Sequence, residues 1–351
     1  MNSNFEKSSK KPKVTIVIPT YNQEKYIAQA IESALKQDYP HIEVVLSDDC
    51  STDSTPKIAK EYIKDKRFRY FRNKKNLGRV ANYRKSLYEY AKGDYYLNLD
   101  GDDFLIDDSY ISKAVEIFLK DKCIVMVMAR SGMILENSKE ILIDKQLDKN
   151  FYFYTGNTLF INYPKIHTIS NLTCLFDRRL AIKKNYYSKD LLFADLESNL
   201  RLILNKNIAF YNQTVGFWRK HSFNASRGIS LKEFNENIEL INSLYHSANK
   251  LRVFKDRDLK KWKLRMYYYF VVKILIRMCL VDREVFKEAL ILMRGQDKRV
   301  FNRIIFNPKF SLLLLITKNN FLSKLVFDLI LNEHSFYLEL KELRSLKNKN
   351  D

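Results

Sequence analysis

The sequence predicts an α/β protein: a mostly parallel sheet flanked by helices, continued at its C-terminal end by a helical extension. Two observations carry that prediction. Between Val14 and Leu99, short apolar runs alternate with stretches of helical periodicity, joined by short polar connections. Near Gly228 the pattern changes to long amphipathic helices with few turn signals. A strand that returns through a helix pairs in parallel, and such a sheet binds ligands at the carboxyl ends of its strands.

Each element has its own local reason. Val14-Thr15-Ile16-Val17-Ile18 is a β-branched run ended by Pro19, a buried strand feeding a loop. Ile27, Ala30, Ile31, Ala34 and Leu35 recur at helical spacing between Gln23 and Gln37. Ile42 to Leu46 is a second strand, closed by Ser47-Asp48-Asp49. Ser51-Thr52-Asp53-Ser54-Thr55 supplies N-caps for a helix through Ile58 and Tyr62. Phe68 to Arg72 is a third strand, followed by Asn76-Leu77-Gly78 and a helix from about Arg79 to Ala91. Tyr95 to Leu99 is the fourth strand. A helix through Ile111, Val115 and Phe118 and a strand from Ile124 to Met128 follow. Ser131 to Asn185 reads only as mixed short strands and loops. Leu191 to Leu204 is helical, and Ile208 to Tyr211 is a strand.

Composition narrows the class. At 46% hydrophobic and 13% aromatic the chain has ample material for a core. Its Lys-rich N-terminus lacks the apolar stretch of a secretory signal. The four cysteines (Cys50, Cys123, Cys174, Cys279) are scattered without Cys-x-x-Cys spacing, which argues against disulfides or a zinc site and suits a reducing cytoplasm. The formal charge is +20, with 24 Lys and Arg against 14 Asp and Glu from Gly228 onward. Such a surface attracts nucleic acid, anionic lipid or phosphorylated substrates. No nucleic-acid-binding motif accompanies it, so no nucleic-acid partner is expected.

The densest acidic cluster is Asp100, Asp102 and Asp103, within Asn98-Leu99-Asp100-Gly101-Asp102-Asp103 at a strand end. Hard cations such as Mg²⁺ or Mn²⁺ take grouped oxygen ligands of this kind. The competing reading is an acidic turn, since Asp and Gly favour turns. With eight glycines and neither a Gly-x-Gly-x-x-Gly nor a P-loop pattern, phosphates must be met by a metal and by Arg, Lys or His. Asp48 or Asp49 could accept hydrogen bonds from a base or ribose, or simply cap the next helix.

Taken in order, Val14 to Asn22, Ser47 to Asp53, Asn76-Leu77-Gly78 and Leu99 to Asp103 resemble the successive motifs of the family 2 glycosyltransferases, inverting enzymes of the GT-A fold. The likeness covers roughly Lys13 to Gly228. It implies a nucleotide-sugar-binding half over 13–110, an acceptor-binding half over 111–228, a basic helical region over 229–351 and a disordered N-terminus over 1–12. Pro19, Tyr21 and Asp49 would hold the base of a nucleotide sugar, with Asp48 nearby. Asp102 would be the main ligand of Mn²⁺ or Mg²⁺, with Asp100 and Asp103 holding ribose or metal-bound water. Cys50 departs from the family's usual Gly or Asn, and nothing in the sequence makes that departure costly.

An inverting displacement needs a base for the acceptor hydroxyl. Phe193-Ala194-Asp195-Leu196-Glu197 resembles the family's acidic element ahead of a helix, which implies Asp195 as base and Glu197 as the reserve. An ordinary helix-start carboxylate is the competing reading. Trp218 to Ser226 resembles the family's late Arg-x-His…Ser segment, which implies Arg219 and His221 on the diphosphate. Arg79 and Arg84 are further phosphate candidates. The expected donor is a nucleotide sugar, UDP-linked by preference, and the acceptor a glycan or lipid-linked glycan. The rival enzymatic reading, a nucleotidyltransferase, lacks its Gly-rich first loop; the non-enzymatic alternatives are a nucleotide-binding protein without transfer activity and a basic nucleic-acid-binding protein.

Arg265, Tyr269, Lys273 and Arg277 form one polar stripe beside an apolar face that includes Met266, Phe270, Ile274 and Met278. Phe310 to Ile316 and Phe321 to Leu331 repeat the theme. The charges argue against a membrane-spanning helix. Packing against other helices is the plain expectation; a peripheral contact with the anionic inner face of the cytoplasmic membrane is the sharper one.

Overall fold

The computed structural model describes residues 11–135, 141–142, 151–221, 230–308 and 310. These fall into two compact units, one comprising the described residues up to 221 with Leu251–Val253, the other the remainder.

The first unit begins β1 (Val14–Thr20), α1 (Ile27–Leu35), β2 (Ile42–Asp48), α2 (Thr55–Glu61), β3 (Phe68–Arg72), α3 (Arg79–Lys85) and β4 (Tyr95–Asn98). It continues with β5 (Phe104–Leu105), α4 (Tyr110–Lys120), β6 (Ile124–Leu135), β7 (Ile141–Leu142), β8 (Phe151–Thr155), α5 (Gly156–Asn162), β9 (Leu175–Asp177), α6 (Arg178–Lys183), α7 (Ala194–Ile203) and β10 (Asn207–Lys220). One sheet runs β3-β2-β1-β4-β9-β6-β10-β5, with β7 on β6 and β8 on β10. The first four strands are mutually parallel, β9 is antiparallel to both neighbours, and β6 and β10 are parallel again. Both halves expected from the sequence therefore share one sheet.

Parallel strands covered on both faces need apolar side chains throughout. β1 and β2 are buried along their full lengths. Their register pairs Thr20 with Asp48, so their carboxyl ends are level. Backbone bonds extend the alignment past the strands: Asp49 N–H to the Thr20 carbonyl (2.8 Å), Asn73 N–H to the Asp48 carbonyl (2.8 Å) and Leu99 N–H to the Val17 carbonyl (2.9 Å). The polar loops consequently leave from one edge.

Two elements differ from the course the sequence suggested. The helix expected to Ala91 leaves α-geometry at Ser86 and finishes as a π-helical stretch to Tyr90. β10 continues nine residues beyond Tyr211, the end expected from its apolar run. The interruption is polar Asn212, which is fully buried and accepts a bond from Arg130 Nε at 2.6 Å. The register on β6 shifts on either side of Thr214, so the strand is kinked but unbroken.

The second unit contains α8 (Leu231–Leu251), α9 (Asp256–Met266), a π-helical stretch (Tyr267–Val272), α10 (Lys273–Val281), α11 (Arg283–Gln296) and α12 (Lys298–Ile305). Met266, Val271, Leu275 and Met278 are buried, as helix packing requires. The stripe of Arg265, Lys273 and Arg277 is half-buried rather than exposed. Among the described residues no helix is long and apolar enough to cross a membrane. The apolar stretches at 311–316 and 321–331 lie outside the described residues.

Candidate active site

The loops after β1 and β2 clasp each other. Asn22 Oδ1 accepts the Thr52 N–H at 2.7 Å, and the Asn22 N–H donates to Ser51 Oγ at 2.9 Å. Pro19 is buried within β1, while Tyr21 just beyond it is 45% exposed and open to stack on a ligand. Asp48 is fully buried and accepts from Tyr70 OH (2.7 Å) and Ser51 N–H (2.8 Å), with Arg72 at 3.5 Å. Asp49 accepts from Asn73 Nδ2 (2.9 Å), Leu77 N–H (2.9 Å) and Gly78 N–H (2.8 Å). Both carboxylates thus organise loops from beneath. Gly78 takes φ +89°, a conformation that suits glycine, and α3 begins at the next residue.

The acidic cluster forms with the end of β10. Asp102 Oδ2 lies 2.8 Å from His221 Nε2. The Arg219 N–H donates to Asp103 Oδ1 (3.0 Å), and Arg219 Nε donates to the Asp102 carbonyl (3.1 Å). Tyr26 stacks on His221 at 5.3 Å, and the Arg219 guanidinium sits 4.8 Å from the Tyr26 ring centroid. Asp100 accepts from Tyr83 OH (2.7 Å) and Asn98 Nδ2 (2.9 Å). Burial, and then repulsion from Asp102, push the Asp100 carboxyl up to about 6. The same two causes hold Asp103 well above the usual carboxylate range, against the pull of Arg219.

Among the described residues no three His, Cys, Asp or Glu side chains converge as a metal's ligand set. Asp100, Asp102 and Asp103 repel one another, and each is also held by a neighbour: Asp100 by Tyr83 and Asn98, Asp103 by the Arg219 backbone, and Asp102 by His221. The donor chemistry nevertheless fits a hard cation. Oxygen donors predominate, and the crowding that raises Asp100 and Asp103 is what a divalent cation would relieve.

Asp195 occupies the first turn of α7. Burial raises its carboxyl, and Arg79 opposes the rise. Asp195 acts in turn on Asp100 and Tyr83, which ties it electrostatically to the acidic cluster. Glu197 is buried and paired with Arg201 (Nε 3.0 Å, Nη2 3.2 Å), so the reserve carboxylate is held inside α7. Arg79 Nη2 donates to the carbonyls of Leu191 (3.0 Å) and Leu192 (2.6 Å). Arg84 Nη1 donates to the Tyr186 carbonyl at 3.0 Å. These two candidate phosphate ligands thus reach the segment ahead of α7.

The structure gathers Asp100, Asp102, Asp103, Arg219 and His221, and places Tyr21, Asp48 and Asp49 on the loops of the same sheet edge. It adds Tyr26, Asn73, Tyr83 and Asn98, which sequence reasoning missed. Only the Arg79–Tyr83 spacing, i and i+4 on one helix face, offered a signal. Residues 222–226 of the late segment lie outside the described residues.

A parallel sheet ending in paired loops, an acidic cluster and an Arg–His strand end is the layout of a nucleotide-sugar transferase of the GT-A kind. Residues 15–183 match the model of glycosyl transferase family 2, and this segment is a family 2 glycosyltransferase domain. TarS of Staphylococcus aureus, a poly(ribitol-phosphate) β-N-acetylglucosaminyltransferase, is 28% identical over 268 residues, 73% of this chain and 44% of its own. An uncharacterised glycosyltransferase of Haemophilus influenzae is 39% identical over 115 residues, 32% of this chain and 45% of its own. The chain spans less than half the length of either relative. The solved structure of S. aureus TarS 1–349 with UDP-GlcNAc shares the fold, with TM-score 0.66, 19% identity and 87% coverage of both chains. So does a mannosyltransferase of Pyrobaculum calidifontis solved with GDP-Man and Mn²⁺, at TM-score 0.51 and 16% identity over 93% of this chain and 89% of that one.

Proposed function

We propose that the protein is a divalent-metal-dependent inverting glycosyltransferase. It moves a sugar from a nucleotide-sugar donor to a hydroxyl of a glycan or lipid-linked glycan, in building a surface polysaccharide or glycolipid. The observation that carries the reading is the joining of Asp102 to His221 and Asp103 to Arg219, with the raised Asp195 coupled to the same cluster. The UDP-GlcNAc bound by the structurally similar TarS favours a UDP-sugar.

In this mechanism Pro19 and Tyr21 border the base, over the loop frame set by Asp48 and Asp49. Arg219 and His221 meet the diphosphate, and Asp100 reaches the ribose. Asp102, with Asp100 and Asp103 beside it, would hold Mn²⁺ or Mg²⁺, which offsets charge on the departing diphosphate as a Lewis acid. Asp195 takes the proton from the acceptor hydroxyl as its oxygen bonds to the anomeric carbon. The bond from that carbon to the diphosphate breaks on the opposite face, and the configuration inverts. A carboxyl raised by burial is a stronger base than an exposed one.

A thermal-shift panel of nucleoside diphosphates and nucleotide sugars, with and without Mn²⁺, tests donor and metal together. Manganese-dependent stabilisation by one nucleotide, abolished in Asp102→Ala, is expected; no shift with any nucleotide overturns the reading. Asp195→Asn should retain that shift while turnover falls by about 10²–10⁴-fold.

A further inference from the structure

We propose that Arg79 is a positioning residue for Asp195: it fastens the turn ahead of α7 to the start of α3 and so sets where the acceptor-side carboxylate stands. This rests on the reading of Asp195 as the base.

The argument begins with where the guanidinium spends its hydrogen bonds. Nη2 donates to the consecutive carbonyls of Leu191 and Leu192, and Asp195 follows three residues after the second. A ligand dedicated to phosphate would aim its fork at an anion; here Nη2 is committed to two backbone carbonyls. The other end of the tether is equally fixed. Arg79 follows Gly78 directly, and the Leu77 and Gly78 N–H groups are both held by Asp49. One side chain therefore runs from the loop expected to meet the nucleotide to the turn that presents the base. Arg84 repeats the attachment one turn further on through the Tyr186 carbonyl.

Electrostatics agree with the geometry. Asp195 interacts with Arg79 and Tyr83 of α3, Asp100 at the end of β4, Tyr186 and Tyr187 ahead of α7, and Cys174. Among these Arg79 is the cation, and its charge opposes the rise that burial imposes on the Asp195 carboxyl.

The test uses the full chain with Mn²⁺, UDP as the binding probe and UDP-GlcNAc turnover as the rate. For Arg79→Met we expect a UDP Kd within about twofold of wild type and kcat lowered by roughly 100-fold. Arg79→Lys, which keeps the charge but not the paired carbonyl bonds, should restore kcat only in part. Retained UDP binding in both variants shows that the domain is folded. Weakened UDP binding in proportion to the lost rate overturns the proposal and makes Arg79 a phosphate ligand. Unchanged kcat overturns it as a structural contact without consequence. Wild-type turnover in Asp195→Asn overturns the base reading itself, and failure of the wild type to bind UDP overturns the functional reading; either removes the proposal with it.

Discussion

Cys50 adopts φ +69°, a left-handed conformation that crowds any side chain with a Cβ and that Gly or Asn accepts more readily. Nothing in the residue pattern makes this departure from the family's usual residue costly; the backbone angle does. Cys50→Asn should raise unfolding stability by about 0.5–1 kcal/mol, measured by urea denaturation, with nucleotide binding unchanged. A loss of stability would mean that the weak contact of Cys50 Sγ with the Lys74 carbonyl (3.9 Å) outweighs the strain. Legibility at this scale follows sequence distance. The aspartates were visible because they crowd four residues. The reach of Arg79 to Leu192, across 113 residues, leaves no local trace, and its guanidinium could as well have met a phosphate. Asp195 also carries a pH prediction. Its raised carboxyl must be ionised to accept a proton, so kcat should fall as pH drops through a value higher than that of an exposed aspartate, and that limb should vanish in Asp195→Asn. A limb at the pH of an exposed carboxylate would remove the burial argument.

At the scale of elements, periodicity located most strands and helices of the first unit and failed where a buried polar residue broke the pattern. Asn212 concealed the second half of β10, which delivers Arg219 and His221; those two were found through their motif, not through their strand. Glu43 is the reverse case, a charge inside a run correctly read as a buried strand. Burial alone would raise its carboxyl, but bonds from Lys13 Nζ (2.6 Å), Thr15 Oγ1 (2.6 Å) and the Lys92 N–H (2.6 Å) bring it below its usual value. One carboxylate thus ties β2 to the start of β1 and to the approach to β4. A depressed folded value means the stabilisation is complete above the unfolded carboxyl pKa, about 4.3, and is lost as pH falls through the folded value. Glu43→Gln should therefore cost about 1–3 kcal/mol at pH 7 and progressively less below pH 4. A penalty that is the same at pH 7 and pH 3 would show that hydrogen-bond geometry, not charge, is what Glu43 contributes.

For the whole molecule, the excess of positive charge is the property least explained by the active site. The sequence predicts a cationic stripe beside an apolar face in the helical region, with packing on other helices as the plain expectation and a lipid interface as the sharper one. Met266, Val271, Leu275 and Met278 are buried, as packing requires, and Arg265, Lys273 and Arg277 are half-buried. Exposed cations stand elsewhere in this unit, among them Lys255, Arg257, Lys260 and Lys261 around α9 and Arg283, Lys287, Arg294, Lys298, Arg299 and Arg303 on α11 and α12. Attraction carried by these cations is electrostatic, and the Debye length shrinks from about 10 Å at 0.1 M salt to about 3 Å at 1 M. The full chain should float with vesicles rich in phosphatidylglycerol at 0.1 M salt, dissociate at 1 M, and ignore vesicles of phosphatidylcholine alone. Retention at 1 M would shift the explanation to inserted side chains, for which Ile291 (72% exposed) and Phe306 (77%) are available. Failure to float at either salt would exclude the lipid surface and leave the charge to act on an acceptor that carries its own phosphates, where the same screening should appear as an acceptor KM that rises with salt.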